Sequence, residues 1–409
     1  MGKLPVAGCH LPAILMAACG FATLLSTVAR AQDIWTITSA DFSETRGAVT
    51  SLAPAGITFR NAAGDTAQLP WSNVLELSRS AEPGGIPDGV WVALLTGGQR
   101  LVGGPVSFAD ESLTWSTAVG EFIIPLNQLI AICRGGLVER ARGKRPPQDT
   151  VVLANGDVLG GIVESIAPDG VALANSPKVD WDAVAMIKFA EVDDAQNAAA
   201  AEGYLVRIVG GAVLAGRSVE FKANQLQLSD GAATVRTLPI GSVLSIEHRN
   251  GPVTWLTDAA PIEQMQKPYF AAAPPAIVFN TGAAGAPIRD GERAARCGII
   301  AASYTRLVYA VDPSYEAFRT RLAIDGALPY ANAVVRIRVG ESVAYELADL
   351  SAATPVQTVV VPLNGAKQIT LEVDYGKTYD VQDRVVFIEP ALLKKLPVPT
   401  TQPGAPATQ

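Results

Sequence analysis

Histidine is almost missing from this 409-residue chain, which has only His10 and His248. Cysteine is nearly as scarce, at four, and charged residues make up only 17%. These shortages exclude several chemistries. There is no Gly-x-Ser-x-Gly elbow, no His-Glu-x-x-His, no Cys-x-x-Cys and no Asp-x-Asp calcium loop. The formal net charge of -7 argues against nucleic acid, because phosphate binding needs a surplus of clustered Lys and Arg. Beyond residue 31 no apolar run approaches the ~18 residues needed to span a bilayer. Only Cys133 and Cys297 lie beyond that point, too few for a disulfide scaffold. They fall in different expected domains, so a bridge between them is not expected. With 49% hydrophobic residues, apolar cores must hold the chain together.

Residues 1–31 have the marks of a secretory signal peptide: Lys3, an apolar run from Leu11 to Val28, and the small-x-small end Ala29-Arg30-Ala31. Cleavage after Ala31 removes Lys3, Arg30 and no acid, taking the formal charge from -7 to -9. The chain is therefore expected to be exported, to the periplasm, cell surface or medium, with no transmembrane segment left. Lipid anchoring at Cys19 is the alternative, although Met16-Ala17-Ala18 fits a lipobox poorly.

Gly-x-x-Leu-x-Gly occurs three times, at Gly98-Leu101-Gly103, Gly156-Leu159-Gly161 and Gly211-Leu214-Gly216. Each copy follows an alternating apolar run. A closing motif recurs four times: "LPWSNVLEL" from Leu69, "IPLNQLIAI" from Ile124, "VDWDAVAMI" from Val179 and "LPIGSVLSI" from Leu238. Its Pro or Asp suits a short 3₁₀ turn. Gly47, Gly103, Gly161 and Gly216 are spaced by 56, 58 and 55 residues, a period that signals internal repeats. "NGDVLGG" at 155–161 could cradle a phosphate. However, a β-type run follows it instead of a helix, and no Gly-Lys-Ser/Thr is present, so a hairpin is expected. The second glycine of each frame lands mid-strand, where a bulge or sharp bend is expected.

The expected fold is all-β: four small SH3-like or Sm-like β-barrel repeats at 32–79, 90–133, 150–190 and 203–249, then a β-sandwich at 251–394. Residues 395–409 are Pro/Thr-rich and read as a disordered tail. Linkers at 80–89, 134–149 and 193–203 separate the repeats. The second carries Arg134, Arg140, Arg142, Lys144 and Arg145; it reads as a solvated linker, or alternatively as a contact to an anionic envelope polymer.

In residues 251–394 Val, Ile and Thr alternate between Asn-Gly and Tyr-Gly turns, as in an antiparallel sandwich. An ordered set of residues carries a resemblance: Trp255-Leu256-Thr257-Asp258 with Pro261, Pro268-Tyr269-Phe270, Gly285-Ala286-Pro287, Gly298, Leu307, Tyr309 and Phe318, and then "VRIRVGESVAYEL", "NGAKQITLEV" and "DRVVFIEPAL". The segment resembles the NPCBM family of carbohydrate-binding modules of bacterial secreted proteins. This implies a galactose-binding-like jelly roll whose loops at one end bind sugar or Ca²⁺. Ala302 stands where the family often has His, and Phe387 where it often has Trp.

Sugar sites pair aromatic platforms with carboxylates. Tyr309 and Phe318 fall in strand-like runs and read as core. Tyr375 and Tyr379 lie in the turn "DYGKTYD", with Asp374, Asp380 and Asp383 nearby, and these five are the candidate carbohydrate-binding residues. No metal site is assigned and no cofactor is expected, with Ca²⁺ left open. His248 reads as a solvated or turn residue. Asp380, Asp383 and Glu389 are the only local acid cluster, read as a surface turn and a sheet edge. The function expected is non-catalytic binding of envelope or extracellular polysaccharide. A structural, protein-interacting envelope component is the alternative, and a glycoside hydrolase with an unrecognised carboxylate pair the third reading.

Overall fold

Asn155-Gly156-Asp157 turns a hairpin. In the computed structural model of the chain, strand Asp149–Leu153 enters the turn and strand Val158–Gly161 leaves it antiparallel, with Val152 opposite Val158. The Leu153 amide donates to the Asp157 carbonyl at 2.8 Å and the Gly156 amide to the Leu153 carbonyl at 3.0 Å. The Asp157 amide donates to Asn155 Oδ1, also at 3.0 Å. The turn amides therefore serve the hairpin, not an anion.

The structure describes residues 34–394, except 80–84, 143–144, 175, 191–201, 223, 232–234, 271–272, 283–287, 291–292 and 327. The expected signal segment, Cys19, the carboxyl-terminal tail, Lys144, Gly285-Ala286-Pro287 and most of the 193–203 connector lie outside the described residues.

In the first segment, strands Ile34–Ser39, Glu44–Ala53, Gly56–Asn61, Thr66–Pro70 and Val74–Arg79 pair with the fifth beside the first, giving the order 5-1-2-3-4. Strands Trp91–Leu95, Arg100–Ala109, Ser112–Thr117, Gly120–Pro125 and Leu129–Arg134 repeat that order. The long second strand bends as expected. A Cβ on Gly103 would lie 1.7 Å from the Ser116 carbonyl oxygen, so only glycine lets the two strands approach this closely. The bulge follows between Pro105 and Ser107, and matching register breaks fall at Val49/Ser51 and Val163/Ser165. The closing motif forms 3₁₀ turns at Trp71–Asn73, Leu126–Gln128, Trp181–Ala183 and Ile240–Ser242, capped by Pro70, Pro125, Asp180 and Pro239. Trp71 and Trp181 occupy equivalent places. Their indole N–H groups donate to the Ala53 and Ala167 carbonyls at 2.8 and 2.7 Å.

These units are not beads on a string. They join into one sheet of sixteen described strands, in the order third, second, fourth, first. The joints are locally two-fold, because equivalent residues face each other. Closing strands pair with Leu77 opposite Ile246, and with Ile132 opposite Ile187. The second and fourth units meet at Arg100 opposite Val213, again equivalent positions. Ile37, Trp115, Ile166 and Leu226, one from each unit, belong to a single apolar cluster.

Residues 253–393 form two large antiparallel sheets and a small two-stranded one, Arg289–Asp290 with Arg293–Ala294. One has the order Val278–Phe279, Gly298–Ala302, Arg384–Leu393, Ala317–Ile324, Gln357–Pro362, with Val253–Trp255 also pairing to Arg384–Leu393. The other runs Glu263–Gln266, Thr305–Ala310, Gln368–Tyr375, Asn332–Val339, Ser342–Ser351. Alternate residues such as Phe318 and Leu322 on one sheet and Val335 and Leu371 on the other fill a shared core. Tyr309 and Phe318 are buried, as expected.

The sandwich docks on the joint between the first and fourth units. Leu75 packs with Trp255, Cys297 and Ala391, and Arg319 lies over the Phe42 ring at 3.7 Å. Arg296 pairs with Glu76, and Arg249 with Asp258 at 2.7 Å. Cys133 and Cys297 are free, buried thiols.

Three expectations need correction. His248 is 2% exposed: its Nδ1 lies 3.0 Å from the Trp71 carbonyl, its Nε2 3.0 Å from Glu202, and its ring stacks on Tyr204. It is a satisfied core histidine. The 134–149 segment is not simply solvated, because Val138 and Ala141 of the helical turn Val138–Ala141 are buried and Arg134 covers the Trp91 ring at 3.9 Å. Glu389 sits on an interior strand, buried and paired with Arg321 at 2.7 Å, not at a sheet edge. In each case the partner comes from a distant part of the chain, so tertiary packing overrides the local signal.

Candidate functional site

One end of the sandwich gathers aromatic rings. The loop after Gln266 supplies Tyr269 and Phe270, the end of strand Gln368–Tyr375 supplies Tyr375, and the turn leading to strand Arg384–Leu393 supplies Tyr379. Tyr269 stacks on Tyr379 with centroids 4.5 Å apart and 27° between planes. Phe270 meets Tyr379 edge-on at 5.7 Å, and Tyr375 meets Tyr269 edge-on at 5.6 Å. Tyr304 extends the row, 6.1 Å from Tyr375. The outer rings face water: Tyr269 is 55% exposed, Phe270 64% and Tyr379 48%.

Asp380 joins the two loops. Its Oδ2 accepts the backbone N–H groups of Tyr269 and Phe270, at 2.6 and 3.0 Å. The Tyr375 hydroxyl donates to the Lys267 carbonyl. The turn is tightly wound: Tyr379 has φ +59° and Gln382 φ +61°, a left-handed conformation that side-chain-bearing residues rarely adopt. Desolvation, with Asp380 and Asp374 adding to it, holds the Tyr375 hydroxyl above its ordinary pKa.

The structure thus brings Tyr375, Tyr379 and Asp380 together. Contrary to the expected surface turn, Asp383 lies buried beneath them, 1% exposed, because Ser303 and Asn332 close over it from distant parts of the chain. It accepts the Ser303 hydroxyl at 2.8 Å and the Asn332 amide at 2.8 Å. Burial raises its carboxyl to about 6 against these two hydrogen bonds, with Asp380 adding to the rise. Asp374 accepts the Tyr375 amide at 2.8 Å through Oδ1, and its Oδ2 is held at 2.7 Å by Arg336, which also grips Glu346 and Glu372. In the sequence Tyr269 and Phe270 serve only as family markers, although two adjacent aromatics after Pro268 break the strand alternation. Among the described residues, no three His, Cys, Asp or Glu side chains converge as metal ligands would. No helix among the described residues is long and apolar enough to cross a membrane.

The two facing sheets define a β-sandwich module with an aromatic loop end. Residues 253–393 match the family model of the NPCBM/NEW2 domain, and that segment is such a domain. A comparison with curated proteins finds no match. Similar solved structures include a CBM51-2 module with INT domains from Clostridium perfringens ZmpB in complex with GlcNAc, at 16% identity and TM-score 0.32, covering 44% of this chain and 43% of that one. A CBM51 from Clostridium perfringens GH95 in complex with methyl-galactose is 18% identical, with TM-score 0.30, and covers 34% of this chain and 99% of that one. Tandem CBM51 modules of a family 98 glycoside hydrolase from Streptococcus pneumoniae are 12% identical, with TM-score 0.31, over 62% and 90%. The chain spans less than half the length of the first of these.

Proposed function

We propose that this is an exported, non-catalytic carbohydrate-binding protein whose sandwich holds glycans through Tyr269, Phe270, Tyr375 and Tyr379. The observation that carries this reading is the row of exposed rings. Water-facing aromatics add little to a fold, and burying them against the apolar C–H face of a sugar recovers hydrophobic and packing energy. Asp380 positions the two loops, Asp383 supports them from below, and Asp374 anchors the strand end through Arg336. The packed repeats act as a rigid platform carrying the module, and the glycan belongs to the cell envelope or to extracellular polysaccharide. The NPCBM/NEW2 match supports the ligand class.

The test is a glycan array probed with the full chain, with and without Ca²⁺. Saturable binding of intact glycans supports the proposal. Release of reducing ends from a bound glycan would instead make the protein a hydrolase. A folded chain that binds no glycan but captures an envelope protein would support the structural reading.

A further inference from the structure

The joints of the large sheet are of two kinds. The third and second units join through their closing strands, and so do the fourth and first. The second and fourth join through the second strand of each, at Arg100 opposite Val213. Along the sheet the kinds therefore alternate. Beyond the third unit the next joint in that alternation is again of the second-strand kind. The sheet ends there, at strand Val158–Gly161, and among the described strands only Asp149–Leu153 pairs with it.

This end strand is built like the two that meet. Val158 stands before Gly161 as Arg100 stands before Gly103 and Val213 before Gly216. The Leu95 amide donates to the Gln99 carbonyl, Ile208 to Ala212 and Leu153 to Asp157. By antiparallel alternation, the backbone groups of Arg100, Val213 and Val158 then all point away from the first strand of their own unit. In the existing joint Gln99 Oε1 also accepts the Ala215 amide, at 3.0 Å. Asp157 and Gly160 hold those two places in the third unit. Exposure separates the two edges: Val213 is 5% exposed, but Val158 is 62%, and Ile162 just past the strand is 70%. The strand Val158-Leu159-Gly160-Gly161 also carries none of the Lys or Pro that blunts a free edge.

We infer that a second copy of this chain occupies this edge, with strand Val158–Gly161 pairing antiparallel to itself about a two-fold axis. The two Val158 residues face each other and exchange both main-chain hydrogen bonds, as an antiparallel pair does. Each Asp157 carboxylate meets the other copy's Gly160 amide, as Gln99 meets Ala215. Two β-branched side chains opposite each other are a favourable cross-strand pair. Like edges meeting in this way close the assembly at an isologous dimer. The inference stands apart from the glycan reading.

The experiment is sedimentation of the full chain over a wide range of protein concentration. A reversible monomer–dimer equilibrium is expected, with nothing larger. Val158→Lys sets two ammonium groups face to face and opens no core, since Val158 is already exposed. It should raise the dimer dissociation constant about a hundredfold, the loss of two covered valines. Val158→Glu should act alike. Mixing the two variants should restore the dimer, which a folding defect could not do. Val235→Lys, at a comparably exposed valine on a different edge strand, should leave the dimer intact. A monomer at every concentration overturns the inference. So does a dimer that survives Val158→Lys, or an open series of larger species, which would mean unlike edges meeting.

Discussion

Replacing Arg296 by methionine should loosen the sandwich from the repeats. The register places Glu76 directly opposite Glu247 on neighbouring strands, where the first and fourth units join. Like charges in that position repel. Arg296 reaches in from the sandwich, pairs with Glu76 and feels Glu247 and Glu389 as well. The side chains of Arg296 and Glu76 are only 13% and 12% exposed. Breaking so buried a pair costs about 3–5 kcal/mol, against about 0–1 kcal/mol for an exposed one. The lower end, about 3 kcal/mol, is expected here, since Glu389 keeps its partner Arg321. That is more than a hundredfold in the folding equilibrium, at about 1.4 kcal/mol per tenfold. The assay is denaturant unfolding of the wild type, Arg296→Met, Glu76→Gln and the double variant, followed by fluorescence and circular dichroism. Each single variant should cost several kcal/mol, and the double variant less than their sum. Glu247→Gln should restore part of the loss in Arg296→Met. A loss below about 1 kcal/mol in Arg296→Met would refute the reasoning, because it would make the pair equivalent to a surface one.

Two further outcomes follow from buried groups. Asp383 titrates at about 6 in the fold, above the roughly 3.9 of an unfolded aspartate, so the folded state binds the extra proton between these values. Its contribution is complete below about pH 4 and is lost as pH rises through 6; Asp383→Asn should flatten that part of the stability-versus-pH curve. Burial pushes the Cys133 thiol up to about 11 and Cys297 higher still, so thiol reagents should label neither in the folded chain, while denaturation should expose both.

The local elements were legible because their signals are local. Gly103 and Gly156 mark a strand crossing and a hairpin, and Pro70, Pro125 and Pro239 start 3₁₀ turns. The assembly order was not legible. Pairing Leu77 with Ile246 joins strands far apart in sequence, and the closing strand of each unit reads the same whether its outer edge meets water or another unit. The site divides in the same way. Tyr375 and Tyr379 stand out in one turn with acids around them. Tyr269 and Phe270 reach the same place only because their backbone amides bind Asp380, more than a hundred residues later. His248 misleads for the same reason, since Trp71 and Glu202 close around it from elsewhere.

The most direct measurement is a binding isotherm for the tightest glycan on the array, with the full chain, Phe270→Ala and Tyr379→Ala compared. Base–aromatic stacking is worth about 1–3 kcal/mol per ring in another system, and a sugar on these rings should lose a comparable five- to hundredfold in each variant. Unfolding curves should stay close to wild type, because both rings are largely exposed. Undiminished affinity in both folded variants would contradict a glycan site built on this aromatic row.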